Sequence, residues 1–380
     1  MIKLLLEMSS KNLQKKVSDI LLPADIKING RNPWDITIHN DKFYKKVLRQ
    51  GTLGLGESYM DGWWDCEALD EFISKALRAD LYNHVKVDWK VMWEMLLDKV
   101  VNMQVKSKAT RNARHHYDIG NNLYQIMLDK RLNYSCGYWK FANNLDEAQV
   151  NKLDLICRKI KLQKGQRVLD IGCGWGGFAK FAAEEYGAEV VGVTVSKKQA
   201  ELAREICKGL LVEIRLQDYR DVNESFDHIV SIGMVEHVGY RNYSKFMQVA
   251  ARCLKDDGLF LLHTIGHPFS KTSSDPFSNT YLFPNSLLPS VKQLAAAAEH
   301  IFLIEDLHNF GADYDLTLMA WFKNFNDNWD KLKNQYDERF YRMWKYYLLT
   351  YAGGFRSRNN QLWQIVFSKK GVLRGYQSVR

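Results

Sequence analysis

Residues 170 to 176, Asp-Ile-Gly-Cys-Gly-Trp-Gly, set an acid two positions ahead of a run of alternating glycines. The preceding "QRVLDIG" reads as a strand and the following "WGGFAKFAAEEYG" as a helix, so the glycines fall on a strand-to-helix turn. Without a Cβ, such a turn lets a ligand lie directly against the backbone. A phosphate-gripping loop would need Gly-Lys-Ser/Thr, and none follows. Gly172, Gly174 and Gly177 also satisfy the dinucleotide spacing G-x-G-x-x-G. Against a nicotinamide cofactor, the second strand ends in Val193-Thr194-Val195-Ser196, with no acid to hold a ribose. An acid leading into x-G-x-G-x-G is the pattern that binds S-adenosylmethionine. It makes Asp170, Gly172, Cys173 and Gly174 cofactor contacts, and the alternative is a tight turn with no ligand.

Other residues with chemistry lie at strand ends, where doubly wound sheets collect their ligands. "GMVEHVG" closes the fourth strand with Glu236 and His237, and "LLHTIGH" closes the fifth with His263 and His267. Each alone fits a buried structural role. Glu236 and His263 at neighbouring strand ends, beside a cofactor turn, read together as functional. After the third strand come Gln217, Asp218 and Tyr219. Asp218 stands where such folds hold the adenine amino group and Tyr219 where a ring could stack, although a helix cap and a surface aromatic fit them equally. Cys136, inside the aromatic "NYSCGYWKF", is open to four readings: nucleophile, metal ligand, core filler or pocket wall.

From about residue 165, short β-branched runs alternate with helical stretches, which predicts a mainly parallel α/β sheet of the Rossmann-like kind. The strands after the first are "AEVVGVTV", "LVEIRLQD", "FDHIVSIGM", "GLFLLHTIG", "IFLIEDLHNFG" and "LWQIVFS". Between them lie helices over "SKKQAELAREICKG", capped by Ser196, over "YRNYSKFMQVAARCLKDDG" and over "VKQLAAAAEH". An irregular insertion covers about 266 to 290, and two aromatic helices are expected near 314–334 and 337–350. The first hundred residues differ in kind, being mixed and helix-rich. Three regions are therefore expected: an accessory domain over 1–100, a polar linker over 101–118 and a catalytic domain over 119–380.

Length supports this division, since 380 residues exceed what one core usually serves. The six cysteines form no CxxC pair, which argues against a zinc site or a disulfide framework. No apolar run approaches a membrane span and no signal core is evident, so a cytoplasmic protein is expected. Residues 331–380 carry eleven Lys and Arg against two acids, as large a surplus as the net +9 of the whole chain. Mixed with Phe340, Trp344 and Tyr347, this stretch reads as a nucleic-acid or anionic-membrane surface, or as a solvated helix face over packed aromatics.

The segments "YSCGYW", "VLDIGCGWGG", "GVTVSKKQ", "EHVG", "HTIG" and "GADYDLTLMAWF", in this order, resemble the cyclopropane-fatty-acyl-phospholipid synthase family over residues 110 to 370. The first hundred residues resemble the extra domain of its phospholipid-acting branch, where contacts with a membrane or with a second copy in a homodimer are expected. The resemblance implies a class I S-adenosylmethionine-dependent methyltransferase domain. It implies a reaction in which a cis double bond of a phospholipid acyl chain takes the cofactor's methyl carbon, loses a proton and closes a ring. It also implies a bicarbonate base cradled by Cys136, Glu236, His263, the backbone at Ile265, and Tyr314. Cys136 then becomes a pocket wall. Tyr134 and Ser135 would lean on the cofactor, and Thr194 and Gln199 would contact its ribose and methionine portions. One departure stands out: where many members read CAG-x-FR, this chain has Tyr351-Ala352-Gly353-Gly354-Phe355-Arg356, which implies that a cysteine there is dispensable. The expected partners are unsaturated phospholipids on an anionic surface at the inner face of the cell membrane. Methyl transfer without ring closure and small-molecule N-methylation are the nearest alternatives. No NPPY-like tetrad supports a nucleic-acid substrate, and a non-catalytic cofactor-binding protein would not need Glu236 and His263 together.

Overall fold

The computed structural model describes residues 9–81 and 120–380. The linker read at 101–118 lies outside these residues, as does 82–100. The chain divides into two units. The first combines the N-terminal region with residues 273–283 and 318–360. The region expected as an accessory domain is thus joined by two later segments. It holds helices Ser10–Leu21, Lys42–Met60 and Leu69–Arg78 and a short antiparallel pair, β1 (Thr37–Ile38) and β2 (Trp64–Asp65). The second aromatic helix, Glu338–Arg356, packs on Leu69–Arg78 and Lys42–Met60. Its buried face holds Met343, Trp344, Tyr346 and Tyr347. Close approach needs Gly353, where a Cβ would stand 2.4 Å from the Asp70 carbonyl oxygen and 2.9 Å from Ile73 Cβ. One turn further, Arg356 pairs with Asp70 at 2.6 Å and Glu71 at 2.7 Å.

The second unit is built on a seven-stranded sheet. Its strands are β3 (Arg167–Ile171), β4 (Glu189–Thr194), β5 (Val212–Leu216), β6 (Phe226–Ile232), β7 (Leu254–Gly266), β8 (Leu303–Asn309) and β9 (Gln361–Ser368). They lie in the order β5-β4-β3-β6-β7-β9-β8. The first five are parallel, and β9 runs antiparallel between β7 and β8. The strand order reverses between β3 and β6, the switch point where α/β sheets open a crevice.

Side-chain alternation sorts the sheet into two cores. Leu169, Ile171, Phe260, Leu262, Ile365 and Phe367 join helices Tyr243–Cys253 and Val291–Ala298 on one face. Val168, Val230, Leu261 and Val366 join helices Leu145–Lys159, Gly177–Tyr186 and Lys197–Ile206 on the other. Asp170, His263 and Gln364 are in phase with this second set, so they share the face covered by Leu145–Lys159. The expected Ser196 cap is present, its hydroxyl accepting from the Gln199 amide, and Gly187 ends its helix at φ 61°. One expectation needs correction: Leu254–Asp257, read as the tail of a helix, begins β7. The reason is Leu254, which is buried and pairs with Phe226.

Candidate active site

The glycine turn follows β3 with Gly172, Gly174 and Gly176 at φ 85°, 53° and 84°, a region that side chains rarely adopt. A Cβ on Gly172 would strike Met234 Cγ at 2.7 Å, whereas one on Gly174 would meet nothing within 4 Å among the described residues. Gly174 therefore presents open backbone, as a close-lying ligand requires. Beneath the turn, Asp170 is buried, and burial pushes its carboxyl up to about 7.

The segment carrying Tyr134, Ser135 and Cys136 is tied from both sides. Thr317 Oγ1 accepts from the Gly137 amide at 3.1 Å and the Trp139 indole at 2.9 Å, and Asp313 accepts from the Trp139 amide at 2.7 Å. Tyr134 packs at 5.1 Å on Tyr124, which lies 4.9 Å from Trp175 of the glycine turn. Cys136 is fully buried, its thiol donating to the Gly137 carbonyl at 3.1 Å. Burial holds its pKa well above the ordinary value, so it stays protonated and is no nucleophile.

Sequence reasoning missed Lys152. It is fully buried on helix Leu145–Lys159 and donates to Asn133 Oδ1 at 3.2 Å and Ser135 Oγ at 3.1 Å. Desolvation lowers its pKa to about 8, opposed by the carboxylates of Asp129 and Asp170. Its only sequence signal was phase, since it falls on the helical stripe of Leu145, Ala148, Gln149, Leu153 and Ile156.

Glu236 and His263 lie toward the ends of β6 and β7: Ile232, the last residue of β6, pairs with His263, and Glu236 follows in the turn Val235–His237. Glu236 Oε1 accepts from the Ile265 amide at 2.7 Å. That amide, expected to face an anion, is thus given to the carboxylate. Glu236 Oε2 and His263 Nε2 are buried with no partner among the described residues. Buried polar atoms left in this way point to a bound polar group. Desolvation pushes Glu236 up to about 7, and with the Lys152 and Lys159 charges it keeps His263 neutral. Tyr314 is buried in the first turn of helix Ala312–Asp327.

The other expected contacts are placed less simply. Thr194 donates to Gln199 at 3.0 Å, and the Gln217 amide donates to the Thr194 carbonyl at 3.0 Å. Asp218 caps the turn Tyr219–Asp221 and holds Arg220 at 2.6 Å and 2.8 Å. Tyr219 is buried against Phe246 at 5.5 Å, as core rather than surface. Tyr351 is buried in the first unit, bonded to Ser278 at 2.8 Å.

Sheet order, glycine turn and buried strand-end groups define an S-adenosylmethionine-dependent methyltransferase fold. The chain belongs to the mycolic acid cyclopropane synthetase family, whose profile matches residues 104–365. It is 51% identical over 369 residues to the cyclopropane-fatty-acyl-phospholipid synthase of Escherichia coli (strain K12), covering 97% of this chain and 96% of that one. A probable fatty acid methyltransferase of Pseudomonas putida is 37% identical over 269 residues, or 67% of this chain and 68% of that one. Among solved structures, a mycolic acid cyclopropane synthase complexed with SAH and CTAB is 32% identical at a TM-score of 0.65, covering 68% of this chain and 98% of that chain. A coclaurine N-methyltransferase has a TM-score of 0.70 at 23% identity, over 83% of this chain and 99% of that one, and shares the fold.

Proposed function

We propose that this protein moves a one-carbon unit from S-adenosylmethionine to the cis double bond of unsaturated phospholipid acyl chains and closes a cyclopropane ring, with a bound bicarbonate as base. The observation that carries the reading is the pair of buried atoms without a partner among the described residues, Glu236 Oε2 and His263 Nε2, in the same unit as the glycine turn. S-adenosylmethionine supplies an electrophilic methyl held by a sulfonium, and bicarbonate supplies a base that is not itself easily methylated. The chain's own groups fit both. Gly172 and Gly174 offer backbone, and Asp170 offers an acid beneath it. His263 donates from Nε2 and Glu236 accepts a hydroxyl proton at Oε2, so a bicarbonate between them has a donor and an acceptor. The Ile265 amide holds Glu236 in that orientation. Cys136, uncharged and buried, walls the pocket without competing for the methyl. Tyr134 and Ser135 border the cofactor, and Tyr314 closes the cradle.

A bilayer substrate supports peripheral association with the inner face of the cell membrane. Among the described residues, no helix is long and apolar enough to cross one. The test is incubation with labelled S-adenosylmethionine and unsaturated phospholipid vesicles, followed by proton NMR of the labelled chains. Ring protons support the proposal. An exocyclic methylene or methyl branch, isomeric with the ring or nearly so in mass, would instead favour methyl transfer without closure, the reading suggested by the Pseudomonas putida relative.

A further inference from the structure

Gln364 lies in the middle of β9, inside a run of buried apolar residues. A glutamine there has to justify the burial of an amide, because an apolar side chain would serve the core better. Its cross-strand partner on β7 is His263, and both side chains lie on the face covered by helix Leu145–Lys159. The Gln364 Nε2 group stands 3.3 Å from His263 Nδ1. An amide NH2 can only donate, so Nδ1 accepts with its lone pair. A neutral imidazole with a bare Nδ1 carries its proton on Nε2, the nitrogen that has no partner among the described residues.

We propose that Gln364 is a positioning residue that fixes His263 in its Nε2–H tautomer and so turns that nitrogen into a hydrogen-bond donor aimed at a bound oxyanion. This rests on the reading of Glu236 and His263 as an anion cradle. The physical need is plain. With the proton on Nδ1, His263 would present a lone pair to the anion, and the cradle would lose its donor. Among the described residues, the other groups recorded against the ring do not set the tautomer. Phe310 meets it edge-on at 5.8 Å, and the Lys152 and Lys159 charges disfavour its protonation without choosing a nitrogen.

The experiment uses the full chain with 15N-labelled histidine, the His263 signals being assigned by their loss in His263→Ala. In the wild type, Nε2 should show the shift of a protonated nitrogen and Nδ1 that of a bare one. In Gln364→Glu the carboxylate can only accept, so Nδ1 should become protonated. In Gln364→Leu, a near-isosteric apolar change, the two tautomers should mix. Both variants should keep S-adenosylmethionine affinity close to wild type while turnover falls steeply, a wrong histidine tautomer costing about 10⁴ in a serine protease. Gln364→Asn, which keeps the amide on a shorter arm, should recover part of the Nε2–H population and part of the turnover. A wild-type His263 protonated on Nδ1 overturns the proposal, as does full turnover in a variant whose tautomer has changed. The cradle reading is separable: if bicarbonate depletion leaves the wild-type rate unchanged while the tautomer is as stated, that reading fails and the assignment of the histidine proton stands.

Discussion

Asp170 combines a ligand-binding position with a stability cost. Burial lifts its carboxyl from 3.8 to about 7, and among the described residues the Lys152 charge pulls the other way. The folded chain then holds a proton that the unfolded chain has already released. Stability therefore falls as pH rises from about 4 to about 7, and the whole penalty, about 4 kcal/mol, is present above that. Asp170→Asn should melt higher than the wild type at pH 7.5, match it near pH 4, and lose S-adenosylmethionine binding. Melting curves at both pH values with calorimetry check this, and a variant that melts lower at pH 7.5 would mean the carboxylate has an ionic partner. The Lys152 charge favours the Asp170 carboxylate, and its ammonium also donates to Ser135. Lys152→Met should thus weaken cofactor binding about tenfold or more. It should do so in a folded protein, since methionine fills the same slot. Unchanged affinity by calorimetry would reduce Lys152 to a buried strut.

At the scale of elements, the family's A-G-x-F-R pattern is accounted for by packing within the first unit. Gly353 lets helix Glu338–Arg356 touch the backbone of Leu69–Arg78, Phe355 is buried, and Arg356 is held by Asp70 and Glu71. Gly353→Val should cost about 3 kcal/mol through overpacking, read as a lower midpoint in urea. Tyr351→Phe removes one bond to Ser278 and should cost about 1 kcal/mol while leaving turnover intact. A large loss of turnover in a stable Tyr351→Phe protein would contradict this packing account. The same scale explains what the sequence disclosed. The glycine turn and the Glu236 and His263 strand ends were legible, because period-two apolar runs and glycine punctuation are local signals. The joining of residues 318–360 to the N-terminal unit was not, because no local pattern says which helix another will meet. Lys152 and Gln364 were hidden for a related reason. A lysine on a helix and a glutamine in a strand usually face water, and only tertiary burial makes them informative. Asp218 shows the reverse: its position suggested a ligand, while the neighbouring Arg220 occupies its carboxylate.

For the whole molecule, the question is where the positive charge is available. The last fifty residues hold eleven basic side chains, but most are matched by nearby acids. Lys333 pairs with Asp330, Arg339 with Asp61, Arg342 with Asp65 and Arg356 with Asp70 and Glu71. Lys369 and Lys370 share Asp256, and Arg380 holds Asp306. At physiological salt the screening length is about 8 Å, so a paired charge looks nearly neutral to a surface beyond it. Three positions have another character: among the described residues Lys331 bonds an asparagine oxygen, Lys345 lies 5.9 Å over the Phe322 ring, and Arg374 is exposed. If an anionic membrane is held by this stretch, these three should carry the attraction, each about 1 kcal/mol at most. Replacing all three by glutamine should weaken sedimentation with anionic vesicles by about 10²-fold and flatten its salt dependence. Deleting matched pairs, Lys333→Gln with Asp330→Asn or Arg339→Gln with Asp61→Asn, should leave vesicle binding unchanged. Equal weakening by a matched pair, or binding indifferent to lipid charge and salt, would overturn this electrostatic account.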